Sequence, residues 1–158
     1  MTAATRRHAR AEGSTPVPAP APRGGVLLDT GALVALYARD DPWHAAVTQW
    51  MSGFRGELHT VEPVLTEAAY FMPVRLRSVI ADLAMSGAVR VHCPAPGGYA
   101  RIAELLRKYA DLDPDWADIS LVWLAETIGI HRIATLDVAD FSVYRIHGRR
   151  RFELALLG

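Results

Sequence analysis

The sequence predicts an α/β fold in which a central, mostly parallel sheet is flanked by helices to make three layers. Short apolar runs such as Val26-Leu27-Leu28 and Ile133-Ala134-Thr135-Leu136 alternate with amphipathic stretches of helical length. That alternation is the signature of parallel strands buried on both faces. Both runs end in an acid, Asp29 and Asp137, and ligands of parallel α/β sheets bind beyond the C-terminal ends of the strands. A chain of 158 residues, 51% of them apolar, is long enough for one domain with a real core.

Residues 1–24 stand apart. Arg6, Arg7 and Arg10 precede Pro16, Pro18, Pro20 and Pro22, and proline at alternate positions blocks both helix and ladder. The expectation is a disordered leader, with the folded domain at 25–158. Removing Met1 to Arg23 should leave the melting temperature and the activity nearly unchanged, because the leader has no apolar face to pack.

A strand is predicted over Val26–Asp29 and a helix over Thr30–Ala38. A second helix, Pro42–Phe54, carries proline in its first turn, where the missing N–H costs nothing. A weak strand follows at Glu57–Thr60. Val61–Met72 is helical by the shared face of Val61, Val64, Leu65, Ala68 and Met72. The next helix runs from Pro73 to the stop signal Ser86-Gly87. Ala88–His92 reads as a strand and Tyr99–Tyr109 as a helix. Asp113 should cap a helix that has Pro114 at its first position and ends at Gly129. Arg132–Leu136 and Tyr144–His147 complete the predicted strands.

Five acids fall where such a chain would place apolar or neutral residues: Asp29, Glu67, Asp115, Asp118 and Asp137. Glu67 lies on the flank of an apolar helix face, between Val64 and Phe71. Asp118 shares its helix surface with Leu121, Val122 and Ala125, so it needs a proton, a partner or a metal. Asp29 could instead cap the helix after it, a job also open to Thr30. Asp115 fits the positive end of the helix macrodipole or an outer position around a metal. Asp140 reads as a local turn residue. Carboxylates converging without cationic neighbours are usually compensated by a hard divalent cation with oxygen ligands.

Other chemistries fit less well. The histidines are scattered, with no His-Glu-x-x-His, no paired cysteines and no phosphate-binding Gly-x-x-x-x-Gly-Lys loop. The single cysteine, Cys93, reads as an inert thiol in a strand and excludes an internal disulfide, which suits a reducing cytoplasm. The tryptophans Trp43, Trp50, Trp116 and Trp123 occupy helical positions typical of core residues rather than of base-stacking platforms. Net charge is zero, yet Arg145 and Arg149, Arg150 and Arg151 make a basic run, and Lys108 is the only lysine. Arginine's planar fork suits phosphate; genome composition bias would produce the same excess.

Four segments together resemble the PIN-domain ribonucleases, and more narrowly the VapC-type toxins of type II toxin–antitoxin systems. They are Leu27-Leu28-Asp29-Thr30-Gly31-Ala32-Leu33, Thr60 through Glu67-Ala68-Ala69, Trp116-Ala117-Asp118-Ile119-Ser120-Leu121, and Ala134-Thr135-Leu136-Asp137 with Asp140-Phe141-Ser142 following. The resemblance covers about Gly25 to Leu157 and places the family's acids on Asp29, Glu67, Asp118 and Asp137. It implies a Mg²⁺- or Mn²⁺-dependent endoribonuclease leaving a 5′ phosphate and a 3′ hydroxyl. It also implies a homodimer and a small antitoxin whose tail occupies the active-site groove; separately, no apolar run is long enough to span a bilayer, so no membrane partner is expected. Thr30 and Ser142 could position phosphate or water. The long Pro-rich leader departs from the family pattern.

Two alternatives remain at this level. One is a catalytically inactive PIN-like module that binds RNA or a partner. The other is a receiver-type phospho-switch, which needs a lysine at a late strand end, whereas Lys108 falls in a helix. A haloacid-dehalogenase-type phosphatase would want an acid where Gly31 stands.

Overall fold

The computed structural model of the chain describes residues 24–157, so the predicted leader, but for Gly24, lies outside the described residues. The strands are β1 (Val26–Leu28), β2 (Leu58–Val61), β3 (Val89–His92), β4 (Arg132–Ala134) and β5 (Glu153–Leu154). They form one sheet in the order β3-β2-β1-β4-β5, with every pairing parallel. The helices are α1 (Thr30–Tyr37), α2 (His44–Gly53), α3 (Glu62–Phe71), α4 (Arg77–Ser86), α5 (Pro96–Lys108), α6 (Trp116–Ile128) and α7 (Val138–Val143). The predicted three-layer α/β architecture is what the chain adopts.

The central strand β1 is apolar throughout. Val26, Leu27 and Leu28 of β1 are buried, as are Ile133 and Ala134 beside them. In α6 every residue from Ala117 to Ala125 is buried, as expected of a helix apolar on nearly all sides. It packs on β2, α3 and α5. One member of that buried run is the acid Asp118. Order in the sheet therefore fixes the functional end: β1 and β4 are neighbours, with Leu28 in register with Ala134, so Asp29 and Thr135 emerge side by side.

Several local expectations need correction. Asp113 does not cap α6. It adopts left-handed backbone (φ 49°) and closes the 3-10 turn Ala110–Leu112. The cap is Asp115, whose Oδ1 accepts from the Asp118 N–H at 2.7 Å. An aspartate can satisfy the third helical amide only from the residue immediately before the helix, and Asp113 lies two positions before that residue.

Tyr144–His147 is not a strand. The alternation is real, since Tyr144 and Ile146 are both buried. However, His147 and Gly148 enter the left-handed region (φ 49° and 71°) and turn the chain back, so Ile146 makes one antiparallel bridge to Arg150. The fifth strand comes after that turn. Cys93 lies just beyond β3 and is exposed. Of the tryptophans only Trp123 is buried, while Trp43 and Trp116 are exposed.

An ion pair ties this turn to the helices. Arg101 of α5 donates two hydrogen bonds to the Glu126 carboxylate of α6, at 2.8 and 3.0 Å, and Glu126 also accepts from the His147 N–H at 2.7 Å. Because the Glu126 side chain is largely buried, Glu126→Ala should destabilise the protein by about 2 kcal/mol, discounted for the partly exposed Arg101. Chemical denaturation would measure it, and an unchanged midpoint would refute it.

Candidate active site

The sheet order gathers acids from four separate stretches of chain. Asp29, Glu67, Asp115, Asp118 and Asp137 line one cleft, joined by Asp40 and Asp41, and no Lys, Arg or His is among its lining residues. Carboxyl oxygens of Asp118, Asp137 and Asp140 lie within 4.8 Å of one another.

Each acid is held by the local backbone. Asp29 precedes α1; its Oδ1 accepts from the Thr30 N–H (2.6 Å) and its Oδ2 from the Thr135 hydroxyl (2.7 Å). It therefore caps the helix and faces the cleft at once. The Thr30 hydroxyl donates to Glu67 Oε2 at 2.6 Å and so orients the α3 acid. Asp137 caps α7 by accepting from the Asp140 N–H at 3.0 Å. Asp118 is reached from below by the buried Tyr144 hydroxyl, 3.4 Å from its Oδ2.

The electrostatics follow from this crowding. Asp29 and Asp118 are each only 6% exposed. Burial pushes the Asp118 carboxyl up to about 8, helped by repulsion from Asp29, Asp115, Asp137 and Asp140. Burial raises Asp29 to about 6, while its hydrogen bonds from Thr135 and Thr30 pull the other way. Burial and the neighbouring Asp137 and Asp115 raise Asp140 as well. The Tyr144 phenol is pushed up by burial and by Asp118, so it stays a proton donor. These directions are what a carboxylate cluster shows when no positive charge compensates it.

Residues 26–145 match the PIN domain. The chain belongs to the PIN-domain family. It is 30% identical over 134 residues to ribonuclease VapC26 of Mycobacterium tuberculosis (strain ATCC 25618 / H37Rv), an alignment covering 82% of this chain and 98% of that protein. Its fold is similar to that of Mycobacterium tuberculosis VapC20, a sarcin-ricin loop cleaving toxin whose crystal structure matches with a TM-score of 0.67 at 19% identity. That match covers 72% of this chain and 91% of VapC20, and at such identity it shows the fold alone. The PIN match starts at the first residue of β1 and includes every acid of the cleft.

Not every residue singled out by sequence lies in this PIN cleft. Ser142 is exposed on α7, away from the lining residues. The Arg145 guanidinium folds back on the carbonyls of Ser142, Val143 and Tyr144 at 2.7–2.8 Å, closing the end of α7. Arg149, Arg150 and Arg151 are exposed on the turn beyond it and do not line the cleft. Arginines do border the cleft elsewhere: Arg39 and Arg75 line a groove that shares Ala38, Asp40 and Pro73 with it.

Sequence reading missed three further residues. Asp140 belongs to the tight acid group; its signal was its place three residues after Asp137, one turn along α7. Tyr144 had no local signal, because its contact with Asp118 spans 26 residues. Thr135 donates to Asp29 and accepts from the Asp137 N–H at 2.9 Å, stitching the two strand-end acids together. Thr135→Val should cost about 1–3 kcal/mol, since it leaves the buried Asp29 Oδ2 and the Asp137 N–H without their partner. It should also raise the Asp29 carboxyl further. Thermal melts with an NMR titration of Asp29 check both, and an unmoved titration would refute the stitch.

Proposed function

We propose that this chain is a Mg²⁺- or Mn²⁺-dependent endoribonuclease, the toxin of a toxin–antitoxin pair. The observation that carries the reading is a cleft lined by carboxylates, with no cationic side chain in its lining, in a PIN chain aligned along its length with a ribonuclease. The donor set is all oxygen, and two of its acids are buried with raised pKa values, which fits a hard divalent cation. Asp29, Glu67, Asp118 and Asp137 are the proposed ligands, with Asp140 added to them by its place in the tight group. Asp115 stands at the outer shell. A bound divalent ion supplies charge for the phosphoryl oxygens and lowers the pKa of water.

The chain's own groups do the positioning. Thr30 fixes the Glu67 carboxylate, Thr135 fixes Asp29, and the Tyr144 hydroxyl fixes Asp118. Arg39 and Arg75 are placed to hold the phosphate backbone entering the cleft, a role assigned to Arg145 and Arg149 to Arg151 from sequence. The products expected are a 5′ phosphate and a 3′ hydroxyl. A small antitoxin blocking the cleft, a homodimer and a cytoplasmic setting complete the proposal. Among the described residues no helix is long and apolar enough to cross a membrane.

Purified protein free of antitoxin should cut structured RNA with Mg²⁺ or Mn²⁺ and stop on addition of EDTA. Cleavage that persists under chelation would sink the metal-dependent reading.

A further inference from the structure

A group of uncompensated cations lies at the edge of the sheet away from the cleft. The turn between α7 and β5 displays Arg149, Arg150 and Arg151, all exposed. None of them makes an ion pair among the described residues. Their backbone is fixed: the N–H groups of Arg149 and Arg150 donate to the Ile146 carbonyl at 3.1 and 3.0 Å, and the Ile146 N–H donates to the Arg150 carbonyl at 2.9 Å. Ile146 and Phe152 on either side are buried, so neither flanking apolar side chain projects from the turn.

Other elements add charge to this surface. Lys108, the last residue of α5, brings its amine to 3.6 Å from the place a Cβ on Gly148 would take, and it too makes no ion pair among the described residues. His131, just before β4, is held below its ordinary value by burial and then by the charges of Arg150 and His147 beside it. The acids that touch the turn are already engaged. Glu126, which accepts from the His147 N–H, is neutralised by Arg101, and Glu153 pairs with Arg132.

The sheet separates this surface from the cleft. Arg132 opens β4 in register with Glu153 of β5, so His131 and Arg151 sit where those strands begin. Asp137 lies beyond the end of β4, and three residues of strand put roughly 10 Å of sheet between the two edges. The cleft itself is a poor receptor for a polyanion, because acids line it and no cationic side chain does. With a net charge of zero, attraction for a phosphate backbone must come from cations gathered elsewhere. The turn holds three consecutive arginines, and their planar forks suit phosphate. An anionic membrane fits less well, since the flanking apolar side chains are buried and cannot enter it.

We propose that Lys108, Arg149, Arg150 and Arg151 form a second RNA-binding surface, which grips the phosphate backbone of a segment away from the bond that is cut. The proposal rests on the ribonuclease reading and deepens it. The substrate class it names is a folded RNA large enough to reach both edges of the sheet, held there without regard to sequence because backbone contacts carry none.

The test uses the full chain carrying Asp118→Asn, so that bound RNA is not cut, and a labelled RNA stem-loop titrated at several salt concentrations. Adding Arg149→Gln, Arg150→Gln and Arg151→Gln together should weaken binding about tenfold and make the slope of log affinity against log salt shallower by about 2. The same three positions changed to lysine should keep the slope, because the slope counts charge. Arg150→Gln alone should weaken binding more than Arg90→Gln, which removes the same charge from β3 at the far edge of the sheet. The loss should be the same in EDTA as in Mg²⁺, since the metal acts at the cleft. Melting curves confirm that each variant is folded.

The proposal is overturned if the parent does not bind the stem-loop, or if the glutamine variant binds it as the parent does. It is equally overturned if the loss appears only with Mg²⁺, or if Arg90→Gln costs as much as Arg150→Gln. Vesicles rich in phosphatidylserine and sedimentation cover the rival occupants. A glutamine variant that releases vesicles, or dissociates a self-associated species, while binding RNA normally would assign the surface to a membrane or to the acidic cleft of a second copy. Failure of the ribonuclease reading is read separately. If the wild type cuts nothing in either metal while arginine-dependent binding persists, the surface proposal stands. If the wild type cuts and the glutamine variant binds as the parent does, the surface proposal fails alone.

Discussion

Asp29→Asn and Asp118→Asn should each lower RNA cleavage by orders of magnitude while leaving a folded protein. Asparagine keeps the shape of the side chain and removes the charge that a divalent cation requires. At position 29 the amide oxygen can still accept from the Thr30 N–H, as Oδ1 does now at 2.6 Å. The Thr135 hydroxyl, which donates to Oδ2, would have to turn. At position 118 the new amide group can donate to the carboxylates of Asp137 or Asp140, which now repel Asp118. Asp113→Asn is the control and should be nearly silent. Asp113 sits in left-handed backbone outside the cleft, a conformation that asparagine adopts readily. Cleavage assays with circular dichroism on the three variants decide the matter. Activity lost in Asp113→Asn but kept in Asp118→Asn would reverse the roles given to this stretch.

The sequence carried the architecture because each layer obeys a local rule. β1 and β4 are short apolar runs ending in an acid, and α6 is apolar nearly all round. Parallel pairing then places strand-end acids at one edge, so the sequence alone groups Asp29 with Asp137. Errors came where two neighbouring residues competed for one role. Asp113 and Asp115 are both favourable caps, and only backbone conformation, left-handed at one and extended at the other, separates them. Contacts distant in sequence were invisible for a different reason. The Thr135 bridge to Asp29 spans 106 residues and the Tyr144 contact with Asp118 spans 26, and a local pattern shows that such a residue is buried but not which distant partner it meets. The exposed rings were misjudged because Trp116 and Trp123 share one helix, yet one lies at its first turn and the other faces the core.

Metal-free protein should become more stable as pH falls from about 8 to about 6.5. Asp118 titrates at about 8 in the folded chain and at about 4 when unfolded. Between those values the native state holds a proton that the unfolded chain has released. Stability therefore decreases as pH rises through this window, and the full penalty is present only above the folded value. Asp29, at about 6, acts with the same sign over the narrower range from about 4 to about 6. From about pH 7.5 downward a second effect increasingly opposes the trend. Burial lowers His59, His92 and His131, so their protonation on acidification favours the unfolded chain. From 8 to 6.5 the Asp118 contribution should amount to about 1.5 kcal/mol, a few degrees in melting temperature, and the histidines offset a growing part of it toward 6.5. Asp118→Asn should raise stability at pH 8 and flatten this slope, and the difference between the two profiles cancels the histidines. Mg²⁺ should stabilise the wild type at neutral pH by about 2.7 kcal/mol at a hundredfold excess over its dissociation constant, and Asp118→Asn should shrink that gain. Thermal scans of both proteins across this range, in EDTA and in Mg²⁺, provide the comparison. Equal slopes in EDTA together with equal gains from Mg²⁺ would make Asp118 a buried structural acid rather than a ligand.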